Sequence, residues 1–186
     1  IAWNTDKRYL RQLQDAGVPV ARTYWPDPGE ALPELSDFVV KPAVSAGCLD
    51  TARFRADERV KAQELADTIH ESGRAVMVQP YMPSVDAHGE SALLFFAGKY
   101  SHAIRKGGML VHEQGLEQGL FRREDIRSRQ ASEQEIAAAT CVLDAMPFQA
   151  SDLMYVRVDL VQDERGCPVV LELELTEPSI FLDHDA

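Results

Sequence analysis

Two segments near the end of the chain alternate between apolar and charged residues, and they constrain the fold more than any other feature. They read YVRVDLV at 155–161 and LELEL at 171–175. Alternation with a period of two predicts β-strands that turn one face toward a core. The residues between them, DERG at 163–166, predict a turn. The sequence therefore predicts a hairpin with strands at 153–162 and 167–176.

The pairing of these strands predicts which charged side chains share a face. We expect Gln162 to lie opposite Cys167 at the turn. Arg157 then lies opposite Glu172, and Asp159 projects to the same side.

Asp159, Glu172 and Glu174 thus project from the same predicted face of the hairpin, where they place three carboxylates close together. Carboxylates two positions apart on a strand are about 6.6–7 Å from each other. Mg²⁺ prefers such oxygen ligands together with phosphates, and two ions about 3.5–4 Å apart would clamp a triphosphate. The alternative is a solvated acidic face on which Arg157 forms a cross-strand salt bridge.

The remaining pattern mixes strands and helices without regular βαβ alternation, which predicts the α+β class. The predicted strands are 38–42, 75–83, 91–97 and 99–105, and the predicted helices are 6–16, 57–72 and 132–146. The last of these begins with a capping box, Ser132 with Glu135. Residues 107–131 are polar and contain several glycines, which predicts a functional or mobile loop.

Composition excludes several functional classes. The 186 residues include 30 Asp and Glu against 19 Lys and Arg, and this acidic balance argues against nucleic acid as a partner. We expect no membrane partner, since no apolar run is long enough to span one. Three scattered cysteines suggest free thiols in a cytoplasmic protein. The chain starts at Ile1 without a methionine, so we interpret it as a fragment.

A second group of candidate residues follows the predicted strand at 38–42. Lys41 ends this strand beside a loop of small residues that includes Ser45 and Gly47. Such a loop lets backbone N–H groups approach phosphate oxygens, and the lysine adds a positive charge. A solvated lysine is the alternative, and the spacing is not that of a P-loop.

The segment VQPYMP at 78–83 predicts a strand that leads into a hinge. The carbonyl of Pro80 and the N–H of Met82 form a suitable pair for an adenine edge. A linker with aromatic packing at Tyr81 is the alternative. Glu90, which follows, either accepts from ribose hydroxyls or is exposed.

These segments, in this order, resemble the ATP-grasp superfamily, in its glutathione synthetase-like and D-alanine–D-alanine ligase-like branch. The resemblance covers nearly the whole chain and is carried by NTDKRYLRQLQDAGVPVART, FVVKPAVSAG, MVQPYMPS, HAIRKG and VRVDLVQDERGCPVVLELELTEPS. It implies two α+β lobes that clasp ATP, over 1–82 and 83–186, without the family's N-terminal substrate domain. The sequence of the segment LELELTEPS is most similar to that of the group that contains the D-cycloserine-forming ligase.

The resemblance also implies roles in the C-terminal lobe. Asp159, Glu172 and Glu174 would ligate two Mg²⁺ or Mn²⁺ ions, although Glu174 stands where the family usually has Asn. Arg157 or Arg105 would contact the transferred phosphoryl group or the acyl phosphate.

Nucleotide contacts follow from the same resemblance. Lys7 and Lys41 would grasp the nucleotide, the hinge 79–82 (Gln79, Pro80, Tyr81 and Met82) would contact adenine, and Glu90 would bind ribose. Gln79 stands where many members have Glu.

The implied function is an ATP- and Mg²⁺-dependent carboxylate–amine ligase that acts through an acyl phosphate and releases ADP and phosphate. Its partners would be a small carboxylate and an amine, and a homo-oligomer is expected. In this interpretation Arg127 or Arg129 reaches the carboxylate substrate, and His102 is the one histidine expected near the cleft. A nucleotide-binding module without turnover and a kinase that uses the same site are the alternatives.

Overall fold

The computed structural model describes residues 2–45, 49–107, 126–176 and 178–184. The strands in these ranges are β1 Asp37–Pro42, β2 Ala52–Arg55, β3 Val76–Pro80, β4 Glu90–Phe96, β5 Lys99–Lys106, β6 Ile126–Arg129, β7 Tyr155–Gln162 and β8 Pro168–Glu174. The α-helices are α1 Ala2–Thr5, α2 Tyr9–Asp15, α3 Arg59–Glu71, α4 Ser84–His88 and α5 Glu133–Ala145, with 3₁₀ turns at Ala56–Glu58, Ala150–Asp152 and Leu182–His184. Helices beside antiparallel sheets confirm the predicted α+β class. In the described ranges no helix is both long and apolar enough to cross a membrane.

The chain divides into two compact units. The smaller unit holds the described residues of 22–81, and the larger unit holds the described residues on either side of that range. In the smaller unit the strands have the order β2-β1-β3, and both pairings are antiparallel.

One face of the smaller sheet packs against α3. Both the strands and the helix contribute apolar side chains to this core, namely Phe38, Val40, Phe54, Ala62, Leu65, Ala66, Ile69, Val76 and Val78. The opposite face of the sheet carries the polar residues Lys41 and Gln79 together with the apolar residues Val39 and Met77, because successive side chains of a strand point to opposite faces.

The larger unit contains an antiparallel sheet with the order β6-β5-β4-β7-β8. Helix α5 covers one face: Phe95 and Leu143 line a common cavity at one end of the helix. Leu160 and Glu135 line a second cavity at the other end. The helix begins where the sequence predicted, since the Ser132 side chain accepts a hydrogen bond from the N–H of Glu135.

The N-terminal segment pairs with the free edge of β8. Asn4 donates its side-chain amide to the carbonyl of Leu173 at 2.7 Å and accepts from the N–H of Leu175 at 3.0 Å. The Tyr9 hydroxyl bonds both backbone groups of Leu173. Residues 2–21 therefore belong to the larger unit, whereas the sequence analysis placed them in a lobe that ended at residue 82.

The β7–β8 hairpin has a register that the sequence did not predict. Gln162 pairs with Pro168 instead of Cys167, and this shift alone would turn the carboxylates of β8 to the other face. A bulge beside Asp159 inserts Leu171 without a partner and restores the faces.

Because of the bulge, the observed cross-strand partners differ from the predicted ones, but the charged side chains still share the predicted face. Arg157 lies opposite Glu174 and not Glu172, while Asp159 lies opposite Glu172.

Most other predicted elements occur within a few residues of their predicted limits, with four differences, the first of which is that helix α4 was not predicted. The helix predicted at 6–16 begins only at Tyr9, as α2, and the separate short helix α1 precedes it. The Asp6 carboxylate between them accepts the N–H of Arg8 at 2.9 Å. Strand β2 was not predicted. Strand β6 lies in the predicted loop 107–131, of which 108–125 fall outside the described residues.

Candidate functional site

Charged side chains meet on the face of the larger sheet that is opposite to α5. We call this group the charge cluster; its members are Lys7, Glu90, Lys106, Arg157, Asp159, Glu172 and Glu174. Strand register brings most of them together, because residues directly opposite each other share a face.

Asp159 is the centre of the charge cluster. Its side chain is 2% exposed, and Lys106 Nζ lies 2.7 Å from Oδ2. Arg157 donates Nε to Oδ1 at 2.8 Å and Nη2 to Oδ2 at 2.9 Å. Burial alone would raise the pKa of Asp159, but Lys106 and Arg157 outweigh it and lower the pKa to about 2.

The negative charge of the Glu174 carboxylate is less fully compensated than that of Asp159. Its Oε1 accepts from Arg157 Nη2 at 2.6 Å, but the same guanidinium is shared with Asp159. Burial, together with the negative charges of Asp159 and Glu172, raises the pKa of Glu174 to about 7.

Lys7 and Lys106 extend the charge cluster on two sides. Lys7 Nζ lies 3.2 Å from Oε1 of Glu172, and Lys106 Nζ lies 3.0 Å from Oε2 of Glu90. Burial alone would lower the pKa of Lys106, but Asp159 and Glu90 raise it above its usual range. Among the described residues, the charge cluster thus holds four carboxylates against three cations.

The carboxylates of the charge cluster fit a hard divalent cation by their chemistry. Oxygen donors on one buried face with a surplus of negative charge suit Mg²⁺. Among the described residues, however, no three Asp, Glu, His or Cys side chains converge on one point. Lys7, Lys106 and Arg157 hold the individual carboxylates in separate ion pairs.

The segment that follows β8 lies against Arg157. Arg157 Nη1 donates to the carbonyl of Ser179 at 3.4 Å, and its guanidinium lies 6.0 Å from the ring centroid of Phe181. His102 is on the same face of the sheet, and its Nε2 is 3.0 Å from the carbonyl of Ile180. Arg157 is therefore held from several sides at once.

The structure does not bring Arg105 to the charge cluster. Arg105 pairs with Ser91, so it projects to the α5 face, where it donates to the carbonyl of Ala87 at 2.9 Å. Its neighbour Lys106 projects to the opposite face and is the residue that the sequence analysis missed. The register at the hairpin turn, where Phe96 pairs with Lys99, would place Arg105 opposite Glu90. A register shift between Leu94 and Phe95 brings Lys106 there instead, and the sequence carries no signal of that shift.

Arg129 is also on the α5 face. It donates to Ser91 and, at 2.7 Å, to Glu135 at the start of α5. Arg127 pairs with Arg105 in the neighbouring strand. The structure thus places neither Arg127 nor Arg129 at the charge cluster.

In the smaller unit, Lys41 and Gln79 lie on the face of the sheet away from α3. Lys41 is opposite Met77, and Gln79 is opposite Val39 on the same face. Gln79 is buried and donates to Thr23 Oγ1 at 2.9 Å. Of the two predicted loop residues, Ser45 is half-buried, and Gly47 lies outside the described residues.

Pro80 and Tyr81 lie at the end of β3. The N–H of Tyr81 donates to the carbonyl of Asp37 at 2.9 Å, so Pro80 occupies a position that does not bond to β1. The carbonyl of Pro80 then points to the outer edge of β3, where Val78 already bonds Tyr24. Met82 belongs to the larger unit, and its carbonyl accepts from Val85 at 2.9 Å.

Comparisons with known proteins identify relatives of the whole chain. No protein-family model matches. Cycloserine biosynthesis protein DcsG from Streptomyces lavendulae is 40% identical over 201 residues, which cover 98% of this chain and 65% of that protein. The crystal structure of D-cycloserine synthetase DcsG matches with a TM-score of 0.84 at 36% identity, over 100% of this chain and 66% of that one.

More distant structures share the fold. D-alanine–D-alanine ligase from Bacillus anthracis, complexed with ATP, matches with a TM-score of 0.67 at 16% identity, over 97% of this chain and 59% of that chain. ATP-grasp ligase PsnB, complexed with a minimal precursor, Mg and ADP, matches with a TM-score of 0.65 at 21% identity, over 100% of this chain and 54% of that chain.

The relatives are longer than this chain, which spans about two thirds of the length of the curated relative (65%). Within that span, the two units have the fold that the sequence resemblance implied. A relative with 40% identity supports the same assignment. The chain belongs to the ATP-grasp superfamily.

Proposed function

We propose that this chain is part of an ATP- and Mg²⁺-dependent ligase that joins a carboxylate to an amine through an acyl phosphate. ADP and phosphate are the other products. The observation that carries the proposal is the charge cluster, in which four carboxylates and three cations share one buried sheet face. A site that must bind both metal ions and phosphate oxygens needs both signs of charge.

Arg157 is the residue that we propose to contact the transferred phosphoryl group or the acyl phosphate. Its planar guanidinium suits two oxygens at once. Asp159, Glu174 and the carbonyl of Ser179 fix its position, so it needs little reorganisation when charge develops on a substrate oxygen. Lys106 replaces Arg105 as the second cation of the site, since Lys106 faces the charge cluster.

Asp159, Glu172 and Glu174 are the residues that would hold Mg²⁺. When bound, the metal would neutralise charge on the phosphates. The chain's own contribution is the fixed orientation of these carboxylates by β7 and β8. The extra charge of Glu174, where the family usually has Asn, increases the attraction for a cation.

Other residues are proposed to bind the nucleotide. In the smaller unit these are Lys41, Ser45, Gly47, Gln79, Pro80 and Tyr81; in the larger unit they are Lys7, Met82 and Glu90. The shared face of Lys41 and Gln79 supports this assignment. We expect Lys41→Ala to weaken ATP binding roughly ten- to a hundredfold with little change in stability. A fall in thermal stability without a change in ATP affinity would make Lys41 a structural residue.

The relative that is most similar in sequence among those described supports small-molecule substrates. The name of the relative with 40% identity ties it to cycloserine biosynthesis. We propose that the carboxylate and the amine of this protein are likewise small and derived from amino acids.

A trapping experiment tests the reaction class. The full-length protein is given ATP, Mg²⁺ and a panel of amino-acid-derived carboxylates, with hydroxylamine in place of the amine. A ligase of this kind forms a hydroxamate together with ADP. A phosphorylated alcohol without hydroxamate would identify a kinase, and ATP binding without ADP formation would identify a binding module.

Two matched variants locate the chemistry. Arg157→Lys should lower the rate of hydroxamate formation far more than it weakens ATP binding, because the lost contact matters most in the transition state. Arg105→Lys makes the same change on the α5 face and should leave the rate nearly unchanged. Equal effects of the two variants would contradict the role of Arg157.

A further inference from the structure

A stacked arginine lies at the end of β3 in the smaller unit. The guanidinium carbon of Arg53 is 3.2 Å from the centroid of the Tyr81 ring. The Asp37 carboxylate holds the same guanidinium through two bonds, to Nε at 2.9 Å and to Nη2 at 2.7 Å. A planar guanidinium held by a carboxylate on its edge keeps its flat face for the aromatic ring.

The arginine of this arrangement is largely shielded from water. The Arg53 side chain is 10% exposed, and that of Asp37 is 31% exposed. Stacking of a cation on an aromatic ring is stronger when the pair is desolvated. The Asp37–Arg53–Tyr81 stack is therefore more than a mobile surface contact.

The Asp37–Arg53–Tyr81 stack also controls the backbone. Asp37 holds Tyr81 twice, through Arg53 at the side chain and through its own carbonyl at the Tyr81 N–H. With both ends of Tyr81 held, the peptide between Pro80 and Tyr81 has little freedom to rotate. The direction of the Pro80 carbonyl at the outer edge of β3 is thereby fixed.

We propose that Arg53 is a positioning residue for base recognition and that it sets a preference for adenine over guanine nucleotides. The inference rests on the proposed function, in which the Pro80 carbonyl meets the base. Arg53 does not touch the base itself. It acts through Tyr81, whose stacked ring keeps the carbonyl in one orientation.

The chemistry of the two bases explains the selectivity. Adenine presents an amino group at position 6, which donates a hydrogen bond to a carbonyl. Guanine presents a carbonyl there, and two facing acceptors leave both without a donor, which is unfavourable in a desolvated site. A fixed carbonyl enforces this difference, whereas a carbonyl that can rotate away tolerates both bases.

Calorimetric titration of the chain with Mg²⁺-ATP and with Mg²⁺-GTP tests the proposal. Wild type should prefer ATP. Arg53→Ala should weaken ATP binding about 5- to 20-fold, as expected for loss of a desolvated cation–aromatic stack, and should weaken GTP binding much less. Arg53→Lys retains the charge but not the two-bond fork to Asp37, so it should restore part of the preference.

The matched control is Arg22, which also lies over a tyrosine of the smaller unit, with its guanidinium carbon 4.9 Å from the Tyr24 ring centroid. Arg22→Ala should leave both affinities unchanged. If Arg53→Ala folds poorly, Asp37→Asn loosens the same stack more gently and should narrow the preference in the same direction.

Each outcome decides a different question. Unchanged ATP and GTP affinities in Arg53→Ala would overturn the inference, and so would an equal loss for both nucleotides, which is the result of a purely structural role. If wild type binds neither nucleotide, the proposed function itself fails and the inference fails with it.

Discussion

The two faces of the five-stranded sheet each carry buried ion pairs, but the pairs differ in balance. On the α5 face, Arg129 meets Glu135 at 2.7 Å, and Ser132 donates its N–H to the same carboxylate at 2.8 Å. Burial would raise the pKa of Glu135, but the hydrogen bonds from Ser132 and the charge of Arg129 lower it. One acid and one base thus satisfy each other at a helix terminus.

The charge cluster on the opposite face lacks this balance. Four carboxylates share three cations there, and Glu174 has a pKa of about 7. A balanced pair joins a helix to a sheet and needs nothing further. A surplus of buried negative charge is unfavourable in the unliganded protein and favourable once a cation binds. The comparison distinguishes a structural ion pair on the α5 face from a candidate cation-binding site on the opposite face.

The largest effect should come from removing the central carboxylate on each face. Asp159→Asn leaves Lys106 and Arg157 without their shared partner, so it should lower the free energy of unfolding by about 3–5 kcal/mol and abolish Mg²⁺-ATP binding. Glu135→Gln should lower the free energy of unfolding by about 1–3 kcal/mol and leave Mg²⁺-ATP binding unchanged. Denaturant unfolding and calorimetry measure the two quantities. Loss of nucleotide binding in both variants would show that the faces do not differ in function.

A smaller effect is expected at Glu172, a half-buried member of the charge cluster. Glu172→Gln should weaken Mg²⁺-dependent ATP binding by about 1.5–3 kcal/mol, since a charged metal ligand becomes neutral. Glu133→Gln changes an exposed residue at the start of α5 and serves as the control. Calorimetry with and without Mg²⁺ separates metal-dependent binding from the rest. Unchanged binding in Glu172→Gln would favour a solvated acidic face.

The pH dependence of stability sharpens the comparison further. The pKa of Glu174 rises from 4.5 to about 7 on folding, so the folded protein binds this proton more tightly than the unfolded chain. Stability from this group is therefore lost as pH rises from 4.5 to 7. Glu174→Gln should remove that loss and stabilise the unliganded protein by about 2 kcal/mol at pH 8, a value discounted for partial exposure.

Asp159 has the opposite sign and a separate window. Its pKa falls from 3.8 to about 2 on folding, so its stabilisation is present above 3.8 and is lost as pH falls toward 2. Unfolding midpoints in urea at pH 5 and pH 8 therefore separate Glu174 from Asp159, and the difference between wild type and Glu174→Gln isolates the contribution of Glu174. If the stability of wild type and of Glu174→Gln depends on pH in the same way, folding does not raise the pKa of Glu174 and the prediction is wrong.

The smallest predicted effect is on the α5 face. Ser132→Ala removes the side-chain cap of α5 and should destabilise the protein by about 1 kcal/mol. Because Ser132 lies on the side of the sheet opposite to the charge cluster, nucleotide affinity should not change. A change in affinity, measured by the same calorimetry, would show that the two faces are coupled.

Elements with local causes could be predicted from the sequence. The capping box of Ser132 and Glu135 predicted the start of α5, and alternation predicted β7, β8 and the face that Arg157 and Asp159 share within β7. These features depend on residues within a few positions of each other, so the period and the cap are visible in the chain itself.

Contacts between distant segments could not be predicted in the same way. The sequence does not reveal the bulge at Leu171, and only that bulge places Arg157 opposite Glu174. Lys7 reaches Glu172 because Asn4 and Tyr9 bind the edge of β8, more than 160 residues along the chain. The sequence by itself determined the kinds of charge in the site and which of them share a face within each strand. The tertiary structure decided which charges are paired, because burial and distance set those energies.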